Sequence, residues 1–97
     1  MILVHVQHFL DSEGQRYFPT WLAETAHTLR SFEGFISLRR LRHVEEPEGC
    51  YLALEFQSLD LLRRWSKSSA HDALIAKLIP YRHRKQRSQI FDVGKTL

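Results

Sequence analysis

The 97-residue sequence holds a single cysteine, Cys50. One thiol allows no internal disulfide framework and no zinc-finger spacing. A reducing, cytoplasmic location is the expectation that follows. Long hydrophobic runs are also missing: no segment reaches the roughly 18 consecutive apolar residues of a membrane span. The opening Met-Ile-Leu-Val-His-Val lacks the basic start and the cleavage site of a signal peptide. No repeat, low-complexity tract or second domain is visible. His8, His27, His43 and His83 show no paired metal-ligand spacing. There is no Gly-x-Ser-x-Gly elbow, and Ser69, His71 and Asp72 are too close in sequence to converge as a catalytic triad.

What is present is an ordinary globular composition, with 43% hydrophobic and 26% charged residues. A chain of this length is expected to form one domain, residues 1–97, because domains commonly run from about 50 to 250 residues. The net charge of +3 is a local feature. Arg82, Arg84, Lys85 and Arg87 alone outweigh it, and Arg39, Arg40 and Arg42 form the other basic run. Sheet-based RNA readers need an aromatic RNP motif on a central strand. The stretch Cys50–Phe56 lacks one, and Glu55 would repel phosphate. No nucleic-acid partner and no membrane partner are therefore expected.

Hydrophobic periodicity orders the elements. Ile2 to Phe9 reads as a strand, with Ile2, Val4 and Val6 on one face and Leu3, His5, Gln7 and Phe9 on the other. From about Gly14 to Ser31, Phe18, Trp21, Leu22, Thr25, Ala26, Leu29 and Phe32 make an apolar helical stripe. Pro19 is expected to mark the proper helix start, and Gly34 to cap its end. Phe35 to Val44 reads as a second strand, and Glu45–Gly49 as a hairpin connection. Cys50 to Gln57 alternates cleanly as a third. Ser58 caps a helix carrying Leu59, Leu62 and Trp65. Ser66–Ser69 breaks it, and a second short helix with Ala70, Leu74 and Leu78 closes at Pro80. The basic stretch Arg82–Arg87 leads to a last strand, Ser88 to Val93.

The order βαββαβ predicts an α+β, ferredoxin-like fold. Right-handed crossovers put the helices on one face of a four-stranded antiparallel sheet, with the first and third strands central. Neither face of those central strands is fully polar. An apolar face left bare marks an interaction surface, so two chains are expected to pack sheet against sheet as a homodimer.

Phe32-Glu33-Gly34-Phe35, followed by Leu38 and Leu41, resembles the step into the second strand of antibiotic biosynthesis monooxygenase domains. The segment Tyr51–Ser58, with Leu62, Trp65, Ser68 and His71, resembles the later strand and helix of the same family. The resemblance runs from Ile2 to Val93. It implies a dimeric α+β barrel. Some members of the family oxygenate aromatic polyketides or quinols without metal or flavin, and others degrade haem. Haem-degrading members carry an Asn on the first strand, a Trp on the second helical segment and a His ten residues later. Trp65 matches the Trp, but Gln7 stands at the Asn position and Ile75 at the His position. Haem chemistry is therefore not expected, and no cofactor is.

Cofactor-free oxygenation needs an electron-rich phenol or enol, a base, hydrogen bonds to the anion and an apolar pocket. His71 and Trp65, at family positions, are the predicted catalytic residues: a polar group toward substrate and a pocket wall. His5, Gln7, Tyr51 and Glu55 share a face on the two central strands and are the predicted substrate-binding group. The same four also fit a hydrogen-bonded dimer interface or a satisfied core cluster. Cys50 reads as a small buried hydrophobe. The expected function is a small cofactor-independent monooxygenase acting on an aromatic or quinoid molecule. The alternative is a non-catalytic dimeric ligand-binding or structural protein of the same fold.

Overall fold

The computed structural model describes residues 1–97. The chain forms strand β1 (Ile2–Leu10), helix α1 (Ser12–Leu29), β2 (Phe35–Leu41), β3 (Cys50–Phe56), α2 (Leu59–Ser66), α3 (Ser69–Leu78), a 3-10 turn (Ile79–Tyr81) and β4 (Arg82–Asp92). The sheet order is β2-β3-β1-β4, with antiparallel neighbours throughout. This is the predicted ferredoxin-like arrangement, with β1 and β3 central.

The register settles which face is which. Val4 pairs with Leu54, Val6 with Leu52 and His8 with Cys50. Alternation puts these even-numbered residues on one face, and that face is the one buried against the helices. Phe18, Trp21, Leu22 and Leu29 of α1, Leu62 and Trp65 of α2, and Leu74 and Leu78 of α3 complete the core. No helix is long and apolar enough to cross a membrane.

Three boundaries depart from expectation, each for a local reason. Helix α1 starts at Ser12, not near Pro19. The Asp11 side chain accepts a hydrogen bond from the Gly14 N–H at 2.8 Å, a standard N-cap. The apolar stripe begins at once with Gly14, which is buried against Leu10 and Tyr81. That packing outweighs the one backbone bond lost at Pro19, which lies on the exposed side. Strand β2 ends at Leu41 rather than Val44. The reason is His43, whose Nδ1 accepts from the N–H groups of Glu45 and Glu46 and turns the chain.

Strand β4 begins at Arg82, so the basic run is part of the sheet and not a lead-in. Leu10, Phe9 and Gln7 of β1 pair with Arg82, Arg84 and Arg87. Charged side chains suit an edge strand, where one face and one edge meet water. The register slips between Gln7 and Phe9, so His8 has no partner residue on β4.

Candidate functional site

Between the sheet and the helices lies a cavity of about 70 Å³. The sheet contributes Val6, His8, Leu38, Leu52, Leu54, Gln86 and Ser88. The helices contribute Trp21, Thr25, Leu29, Trp65, His71, Leu74 and Ile75. Trp65 and His71, both predicted from sequence, thus line one pocket.

The two indoles are firmly seated. The Trp21 ring nitrogen donates to the Leu74 carbonyl at 2.8 Å, which ties α1 to α3. Trp65 packs edge-on against Phe32, with ring centroids 4.8 Å apart. Its ring also meets His71 at 5.4 Å in a T-shaped contact. The α2–α3 break makes this contact possible. The Ser68 side chain accepts from the His71 N–H at 3.1 Å, so α3 starts afresh and aims its first turn back at Trp65.

The polar groups of the cavity are few. The Thr25 hydroxyl is already used, donating to the Trp21 carbonyl at 2.8 Å. The buried Nδ1 of His71 has no hydrogen-bond partner, and the nearest carboxylate oxygen, on Asp72, is 3.6 Å away. His8 is 7% exposed and packs against Trp21 at 5.1 Å and Phe18 at 6.0 Å. Burial pushes its imidazole down to about 4, helped by the nearby charges of Arg82 and His71. The His8 ring is therefore neutral at pH 7, with one nitrogen donating and the other accepting a hydrogen bond, and does not act as a cation.

His8 is the residue that sequence reasoning passed over. Its spacing to the other histidines gives no metal-ligand pattern. The strand alternation of Ile2, Val4 and Val6, continued one step, places it on the helix-covered face.

His5, Gln7, Tyr51 and Glu55 lie elsewhere. They occupy the sheet face turned away from the helices, and none lines the cavity. They do form a cluster. Gln7 Nε2 donates to the Tyr51 hydroxyl at 3.1 Å, and His5 stacks on Tyr51 at 5.9 Å. Ser37 donates to Glu55, and Arg39 lies 3.9 Å from the same carboxylate. Gln7 and Tyr51 also border a shallow cleft of about 120 Å³ beside Glu46, Glu48 and His83. His8 alone lines both spaces.

No group of three or more His, Cys, Asp or Glu residues is placed to hold a metal ion. A haem does not fit the residues present. The cavity of about 70 Å³ is far smaller than a porphyrin, and Ile75, where the resemblance would call for a histidine ligand, lines it with an alkyl side chain. Cys50 is buried, and burial pushes its thiol pKa up, away from the reactive thiolate.

Comparison with known proteins places this geometry in context. A family model described as antibiotic biosynthesis monooxygenase matches residues 1–77. No curated protein matches the sequence. Among solved structures, a protein from Deinococcus radiodurans is 12% identical, with all of this chain and 96% of that one covered at a TM-score of 0.87. SnoaB, a cofactor-independent oxygenase from Streptomyces nogalater, is 18% identical, with 99% and 96% covered at a TM-score of 0.79. Rv0793 from Mycobacterium tuberculosis is 12% identical, with 98% and 96% covered at a TM-score of 0.82. At these identities the likeness is one of fold.

Proposed function

Because this chain belongs to the antibiotic biosynthesis monooxygenase family, we propose that it is a cofactor-independent monooxygenase acting on an aromatic or quinoid small molecule. One observation carries the reading. Two indoles, Trp21 and Trp65, wall an apolar cavity lined by two imidazoles, His8 and His71, and the buried Nδ1 of His71 has no hydrogen-bond partner in the protein. Buried polar groups are nearly always satisfied, and those left open in an apolar pocket are available to a ligand.

The chemistry follows from those groups. His71 takes a proton from an acidic O–H or activated C–H of the substrate. The resulting anion is electron-rich enough to reduce dioxygen, and an oxygen–carbon bond forms. For an activated CH2 the balance is one O2 consumed, one C=O formed and one water released; for a hydroquinone it is one O2 consumed, one ring C–H replaced by C–OH, the ring oxidised to the hydroxyquinone and one water released. The substrate loses four electrons and dioxygen gains them. His71 returns its proton to the departing hydroxide. The neutral His8 donates a hydrogen bond to the substrate anion, and Trp65 holds the ring in place and excludes water. Two chains acting together, packed through the sheet face that carries His5, Gln7, Tyr51 and Glu55, complete the proposed functional unit.

The test is oxygen uptake in metal-free buffer with anthrone-type and quinol substrates. His71→Ala should lower the rate by about 10²- to 10⁴-fold, the usual share of a general base. Trp65→Phe should raise KM more than it lowers kcat. Uptake indifferent to both substitutions overturns the role assignments. No uptake with any electron-rich phenol favours the non-catalytic ligand-binding protein.

A further inference from the structure

Resting on the reading of this cavity as the substrate site, we propose that it selects a single-ring ligand carrying an uncharged oxygen at its buried end, met by His8. Fused tricyclic and carboxylate-bearing rings are excluded.

Size is the first argument. A cavity of about 150 Å³ is what holds benzene in an apolar protein core. At about 70 Å³ this one takes only the leading part of a ring. The remainder must lie in the mouth, where Ile75 of α3 faces the partly exposed Gln86 and the exposed Ser88 of β4. The walls do not yield cheaply. Leu29, Leu54, Trp21 and Trp65 belong to the close-packed core, and Trp21 is fixed to the α3 backbone by its hydrogen bond. A second and third fused ring would have to displace them.

Charge is the second argument. No Arg, Lys, Asp or Glu lines the cavity. A carboxylate buried there would meet no Arg or Lys side chain on the cavity wall to offset its lost hydration. A hydroxyl or carbonyl oxygen costs little to bury if it gains one hydrogen bond, and His8 offers one. The class defined by both arguments is the monocyclic phenol or hydroquinone.

The test reads binding, not turnover. Both tryptophans of the chain line the cavity, so all indole fluorescence reports on it. Under argon, titrations with hydroquinone, benzoate and anthrone are compared. Saturable quenching by hydroquinone, with the other two at least about tenfold weaker, supports the proposal. Anthrone binding as tightly as hydroquinone overturns it while leaving the oxygenase reading intact. Benzoate binding as tightly overturns the charge argument. Failure of all three overturns both the proposal and the substrate-site reading. Two variants sharpen the outcome. Leu38→Ala, at a partly exposed wall position, should admit anthrone. His8→Leu should weaken hydroquinone binding and leave benzene binding unchanged. Equal hydroquinone affinity in His8→Leu and the parent removes His8 from the assignment.

Discussion

His8 shows how much one side chain's surroundings change its chemistry. An unburied imidazole titrates near 6.5, whereas here desolvation first, and then Arg82 and His71, bring it to about 4. The folded chain therefore binds this proton less readily than the unfolded chain. Stability from this site is fully present above pH 6.5 and is lost progressively as pH falls toward 4. Between pH 7 and pH 5 the loss should be about 2 kcal/mol. Urea unfolding at the two pH values measures it, with His8→Gln as the reference, since an amide does not titrate. Equal pH dependence in parent and variant would show that His8 is not held neutral by the fold. The strand alternation assigned His8 a face, but nothing local said that this was the covered face. Both faces of β1 carry apolar residues, so the choice depends on where the helices dock. For the same reason parity groups His5, Gln7, Tyr51 and Glu55 on one face, and the docking of the helices makes that the uncovered face, away from the cavity.

At the scale of elements, the legible features were those with a repeating physical cause. The stripe of α1, the alternation of β3, the serine cap at Ser58 and the break at Ser66–Ser69, where Ser68 caps α3, all stand where spacing puts them. The basic run Arg82–Arg87 reads as a lead-in because charge resembles a loop when the partner strand is unknown, and it forms the first half of β4. Gly34 makes a more stringent case. It adopts φ +88 in the turn between α1 and β2, a conformation that disfavours any side chain. A Cβ there would also come within 2.5 Å of Leu61 Cδ1 on α2. Its carbonyl accepts the Gln57 N–H at 2.8 Å, so the turn is anchored to the end of β3. Strain and clash together should make Gly34→Ala destabilising by about 1–3 kcal/mol. For a chain of this size the melting midpoint should fall by several degrees, about 4–8 °C per kcal/mol. An unchanged midpoint would mean that α2 shifts freely, and that the α1–β2 turn does not fix its position.

The whole molecule buries one sheet face under three helices and leaves the other without a covering layer. Leu3, Phe9, Tyr51 and Ala53 lie on that second face, and Phe91 of β4, paired with Leu3, extends it at 48% exposure. Arg84 stacks over Phe9 at 4.2 Å, so part of the apolar surface is shaded by a cation and not by a core. Monomers rarely leave an apolar patch beyond a few hundred Å² uncovered. A second copy is the expected occupant, because the same face offers itself twice across a two-fold axis. A stable pair buries about 1,200–2,000 Å² in total, and a four-stranded face on each side supplies area of that order. Sedimentation equilibrium at micromolar concentration should therefore give twice the 11.5 kDa chain mass. Phe91→Glu is the discriminating variant. Phe91 sits near the end of an edge strand, outside the helix-covered core, so the monomer should fold with an unchanged circular dichroism spectrum. A carboxylate buried without a counter-ion in each half of the contact should shift the equilibrium to monomer by at least about tenfold. A parent chain that sediments only as monomer would leave the bare face unexplained. A Phe91→Glu variant that stays dimeric would move the contact to another surface.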